Sequence, residues 1–308
     1  MKEKPLLGIL NREEAHALVT VHYEKQTALL RDLADYGSNL VVRAFESSTK
    51  KMAEVVVCGV LLKQVVAMID ATEVLLSAGC GLAAFLPARA AFEASIYADW
   101  ILKEDSERRA TRYVVGNYRD ERLWATRAIP GTIEEQAMTR VTELLGYNLH
   151  AKRPEVAPEA AKRLAEINRI LEQQDLKNID QEYDKARGKR PRDPEWYQLD
   201  GLASIRQVAE RVGRLPEYEF FYSRGSQVTH TGSYKDHVRF VSQQIRFVPI
   251  RHLADVNMLL NFTCSIAIGA YQKIVERYRP GEIPAFSKKY IEDWRDPYQN
   301  IQGLKYDF

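Results

Sequence analysis

Cysteine is scarce: only Cys58, Cys80 and Cys264 occur in 308 residues, far apart and with no C-x-x-C pair. That scarcity argues against a disulfide framework, a zinc knuckle or a redox dithiol, and it fits a reducing cytoplasm. Neither sign of charge is in excess. The 44 basic and 42 acidic residues leave a net charge of +2, so no overall field marks the surface for nucleic acid and any such surface must be local. Also absent are G-x-x-x-x-G-K-[ST], G-x-G-x-x-G after a strand, G-x-S-x-G and H-E-x-x-H. Their absence argues against P-loop nucleotide triphosphatases, dinucleotide enzymes, α/β-hydrolases and zincins. A di-iron bundle needs two E-x-x-H pairs, and the chain has one, Glu13 with His16. His230, Asp236 and His237 lack a metal-ligand spacing, so neither a metal nor a cofactor is expected.

Long apolar runs are few and interrupted. The start, MKEKPLLGILNREE, carries a six-residue apolar patch, too short for a signal peptide. Residues 55–69 are broken by Lys63 and Gln64, and residues 253–275 by Asp255, Asn257 and Asn261. Both read as buried core helices rather than membrane spans.

What is abundant is helical periodicity, with almost no β signal, and the fold class expected is all-α: a multi-helix bundle. Leu29, Leu33, Tyr36 and Leu40 mark one stripe of a helix over about 12–50. Residues 52–77 are apolar almost all round, as in a helix central to a bundle. A helix from Pro87 to about Glu104 has a flank of Ala90, Ala91, Ala94 and Ala98, followed by one over 105–128 capped by Asp105 or Ser106 and stopped by Pro130-Gly131. Further helices are expected at about 199–213 and 249–279. The 45% hydrophobic content suffices for one α-helical domain over 1–308. Within it, the charged stretch 132–195 reads as a helical arm or insertion, and 280–308, with Phe286, Tyr290, Trp294 and Tyr298 four apart, as a docking tail.

Two polar groupings carry chemistry. Arg89, Glu93 and Tyr97 lie at i, i+4 and i+8 on the alanine-rich helix, either as a buried ion pair or as the wall of a site. The stretch YSRGSQVTH, 222–230, is the other. On a continuous helix Tyr222, Ser226 and His230 share a face, while Arg224 lies about 120° from His230 and joins it only if Gly225 breaks the helix.

Arg224 and His230, six residues apart, resemble the signature of the HEPN superfamily, all-helical domains that include metal-independent endoribonucleases of toxin and phage-defence systems. The arginine–glutamate pair of ARAAFEASIYADW, followed by a serine four before a histidine, is similar to an uncharacterised family of bacterial all-helical proteins. The residue after the arginine is Gly225, where those nucleases usually carry a polar one. The resemblance implies RNA as substrate, a homodimer that brings two motifs to one cleft, and an antitoxin or defence-system partner protein. It implies Arg224 and His230 as catalytic, with Tyr222, Ser226, Arg89 and Glu93 in support. Arg108, Arg112 and Arg119, with Lys189 and Arg190, are the cations expected on an RNA backbone, although interspersed acids also fit an ordinary solvated face. The alternative is a non-enzymatic helical interaction protein in which the Arg-Glu and Ser-His groups are buried clamps.

Overall fold

Apolar residues three and four apart become long packed helices in the computed structural model, which describes residues 7–46, 48–146, 153–229, 234–241 and 244–304. After a short turn, α1 (Leu7–Leu10), helix α2 (Arg12–Phe45) buries Leu29, Leu33 and Leu40 of the expected stripe and is kinked at Tyr23. Gly37 does not end it. A side chain there would collide with the Tyr271 hydroxyl, so the glycine serves close packing. Helix α3 (Met52–Ser77) follows, and α4 (Gly81–Lys103) begins six residues before Pro87, which is inside the helix rather than at its first turn. Proline forfeits one backbone hydrogen bond there, and burial of Phe85, Ala88, Ala91 and Phe92 holds the helix regardless.

The chain divides into two units, one comprising residues up to Glu104 and from Ile205 onward, the other Asp105–Ser204. The second unit contains α5 (Ser106–Arg127), α6 (Ile133–Leu144), α7 (Arg153–Leu171), α8 (Gln174–Arg187) and a 3-10 turn at Trp196–Asp200. The change of composition at 132 and 195 falls inside this unit, because α5 packs on α6, α7 and α8. Val115, Ile167, Leu171, Tyr183 and Trp196 form its interior. Thr132 caps α6 by accepting from the Glu135 amide.

The first unit resumes with α9 (Ile205–Arg211) and α10 (Leu215–Glu217), which runs through a π turn (Tyr218–Tyr222) into α11 (Ser223–Thr229). Then comes an antiparallel ribbon, β1 (Val238–Val241) with β2 (Gln244–Phe247). The helix expected from Pro249 begins only at Val256 and continues to Tyr278 as α12. The missed ribbon has a signal in the alternation of V-R-F-V and Q-I-R-F, which has period two and not 3.6. Helices α2, α3, α4 and α12 pack on one another around Leu62, Val65, Phe92, Leu260, Ala267 and Tyr271.

Helices α3 and α12 are each long and apolar enough to cross a membrane by length and composition only, and 39% and 56% of their most apolar windows are buried here. The expectation that α3 is covered all round is corrected on one side, where Met52, Val56 and Val60 face outward. The tail, α13 (Ile283–Lys289), a π turn (Tyr290–Trp294) and α14 (Arg295–Gln299), lies on the first unit's own helices. Phe286 and Trp294 are buried around Tyr36, and Trp294 Nε1 donates to Asp32 at 2.6 Å. Tyr290 and Tyr298 are half-buried.

Candidate functional site

The junction of α4 and α11 is set by Gly225. It is buried in an unbroken helix, and a Cβ there would lie 3.2 Å from Cβ and 3.4 Å from Cδ of Arg89. Its missing side chain therefore brings the two helices together instead of breaking one. On α4, Arg89 and Glu93 are one turn apart and pair at 3.2 Å. Tyr222, at the end of the π turn, donates to Glu93 at 2.6 Å and accepts from Arg89 Nη2 at 2.7 Å. The Arg89 guanidinium also lies over the Tyr222 ring, 4.5 Å from its centroid, and Nη1 donates to Thr229 at 3.3 Å. Its Nε is sealed from solvent and has no hydrogen-bond partner among the described residues.

The cluster is neither sealed nor fully solvated. Side-chain exposures of 22% for Arg89 and 32% for Glu93 leave one side of the pair open to water. Burial, then the hydrogen bond to Glu93, pushes the Tyr222 hydroxyl well above its ordinary range, so at neutral pH it is a donor and not a base. Burial acts to lower the Arg89 pKa, but Tyr222 and Glu93 outweigh it and the guanidinium stays charged.

The other residues of the 222–230 stretch fall elsewhere. Since Gly225 does not break α11, Arg224 does not fold toward Tyr222. Its two Nη groups donate to Asp236 at 2.7 Å each, and Nη2 also reaches Asp255 at 3.3 Å. This fork, led by the Asp236 hydrogen bond, raises the Arg224 pKa. Ser226 is half-buried on α11, and His230 lies outside the described residues. Two further residues matter here: Thr229, the hydroxyl that Arg89 reaches, which the sequence did not single out, and Asp236, weighed there only as a metal ligand, the carboxylate that occupies Arg224. The first stands next to the histidine in the chain; nothing in the spacing marks the second.

In the second unit, the arginines of α5 are engaged by carboxylates. Arg119, with a side chain 1% exposed, donates to Asp193 at 2.8 and 3.0 Å, to Asp184 at 2.8 Å and to Asp180. Arg112, also buried, binds Glu182 at 2.9 and 3.2 Å and Asp200. Arg108 pairs with Glu182 at 2.8 Å. Three of the five cations expected on an RNA surface are thus paired with carboxylates, two of them, Arg112 and Arg119, buried, while Arg108, Lys189 and Arg190 are exposed. Among the described residues no group of three or more His, Cys, Asp or Glu could hold a metal ion.

Residues 55–244 match the model of a family of unknown function, DUF5677. The chain belongs to that family. The matched span of DUF5677 runs from α3 into β2, and so contains Arg89, Glu93, Tyr222 and His230 together with all of the second unit. No curated protein and no solved structure matches the chain.

Proposed function

We propose that the α4–α11 junction, with His230, cleaves RNA without a metal, in the manner of an HEPN-like endoribonuclease. The observation that carries this reading is the reach of Arg89 to Thr229. It brings a charged, partly exposed guanidinium to the residue that directly precedes His230.

In the step envisaged, the 2′-oxygen of one nucleotide bonds to the adjacent phosphorus as the bond from phosphorus to the 5′-oxygen breaks. An imidazole takes the 2′-hydroxyl proton, and a second proton donor supplies the leaving 5′-oxygen. Histidine, with an ordinary pKa near ~6.5, suits this work, which is worth roughly 10² to 10⁴ in rate. Arg89 replaces Arg224 as the cation on the non-bridging oxygens, because Asp236 takes both Nη groups of Arg224. Tyr222 and Glu93 position Arg89. Lys189 and Arg190 remain available to an RNA backbone. One histidine serves poorly as both acid and base, so the reading includes a homodimer. It places the protein in the cytoplasm, in a bacterial toxin or phage-defence setting with a partner that restrains it.

A second reading has its own support. Tyr222 satisfies Arg89 and Glu93 at once, and Asp236 satisfies Arg224, as in a non-enzymatic interaction protein with internal polar clamps. Labelled single-stranded and hairpin RNA, incubated in EDTA with wild type, His230→Ala, Arg89→Ala and Arg224→Ala, separates the two. The nuclease reading expects cutting to disappear in the first two variants and to persist in Arg224→Ala per folded molecule. Equal traces in all four would leave the clamp reading. Induced expression in a bacterial host should likewise arrest growth, and His230→Ala should relieve the arrest.

A further inference from the structure

None of the eight residues of the β1–β2 ribbon is buried, although five of them are apolar. The register explains why this is unusual. Val238 faces Phe247, and Phe240 faces Ile245, so these four side chains share one face, while Arg239, Val241, Gln244 and Arg246 share the other. The apolar face is open to water, with Phe240 at 67%, Ile245 at 65% and Phe247 at 71% exposure. A lone two-stranded ribbon is marginal in water, and it gains independent stability when its apolar face is packed against something.

We infer that this face is covered by the same face of a second copy of the chain, ribbon against ribbon. An isologous contact needs a surface complementary to itself, and an uncharged apolar face meets that condition. Stacking two such faces traps no charge, because Arg239 and Arg246, directly opposite each other, lie on the outer side and stay in water. The exposed apolar side chains of Phe240, Ile245 and Phe247 amount to roughly 400 Å² per copy, or about 800 Å² over the pair, the scale of a weak, concentration-dependent interface.

Other occupants fit less well. A nucleic-acid strand stacking on Phe240 and Phe247 would find the ribbon's arginines on the opposite face. Insertion into a bilayer would carry two open strand edges into hydrocarbon, where unpaired backbone groups are costly. The inference rests on the ribbon alone and is independent of RNA cleavage.

The test is sedimentation equilibrium of the full chain at micromolar concentration, beside the double variant Phe240→Ser/Phe247→Ser. Circular dichroism would show that the helices are retained in both. Wild type should be a dimer, and the variant should dissociate at least about 100-fold more readily. Ile245→Cys should oxidise to a disulfide-linked dimer, whereas Arg246→Cys on the outer face should do so far less. A monomeric wild type, or a double variant as dimeric as wild type, overturns the inference. So does binding of wild type to single-stranded RNA or anionic vesicles that is lost in the double variant while the oligomeric state is unchanged.

Discussion

Arginine meets carboxylate in both units, but in different proportions. In the second unit Arg119 is held by three aspartates and Arg112 by Glu182 and Asp200, so their donors are largely used. At the α4–α11 junction one carboxylate, Glu93, is shared between Arg89 and Tyr222, and the buried Nε of Arg89 is left over. A buried, saturated guanidinium fixes helices. One whose pair with a single carboxylate is partly open to water can still meet an anion on its open side. This contrast is why the positive charge of α5, the most prominent in the sequence, is read as structure, and the quieter pair on α4 as the site.

The sharpest way to break the contrast is Arg119→Met. It removes the charge that three aspartates surround, and loss of about 3 kcal/mol from the second unit is expected on denaturant unfolding. A loss below about 1 kcal/mol would show that the lattice of α5 and α8 is not what holds that unit. Next in size is Gly225→Val. A branched side chain at the α4 contact should cost about 2 kcal/mol. Gly225→Ala should stay within about 1 kcal/mol of wild type, because its better helix propensity offsets the tight approach to Arg89.

Glu93→Gln should cost only about 1 kcal/mol, since the pair is partly solvated, yet should lower RNA cleavage by ten-fold or more. A large stability loss with cleavage unaltered would move the junction into the structural class.

The smallest effect concerns His252. Burial lowers its pKa below the ordinary 6.5, and Nδ1 accepts the Ala254 amide at 3.2 Å, a bond that protonation breaks. A folded pKa below the unfolded one means that the contribution is fully present above pH 6.5 and is lost as pH falls through the folded value. The denaturation midpoint should therefore drop between pH 7 and pH 5. His252→Asn, which keeps an acceptor, should flatten that slope, and an unaltered slope would assign it to other groups.

Much of the helical architecture was legible because it is local. The stripe through Leu29, Leu33 and Leu40 fixes the buried face of α2, and Pro130-Gly131 marks where α5 ends. The ribbon was missed, because the alternation around Phe240 and Phe247 is only four residues long in each strand and follows a long helical run. What spacing does not carry is contact between distant segments. Arg89 and Tyr222 are 133 residues apart, and the aspartates that hold Arg119 come from α8 and the loop after it. Gly225 has the same difficulty. A glycine permits both a break and a close approach, and the presence of Arg89 opposite it decides which.

The most direct test of the central contrast is the metal-free cleavage rate of one labelled RNA by Arg89→Ala and Arg119→Met, each normalised to its folded fraction. The account predicts a fall of about 100-fold or more for Arg89→Ala and a rate near wild type for Arg119→Met. Cleavage that survives in Arg89→Ala, or that wild type never shows, would contradict it.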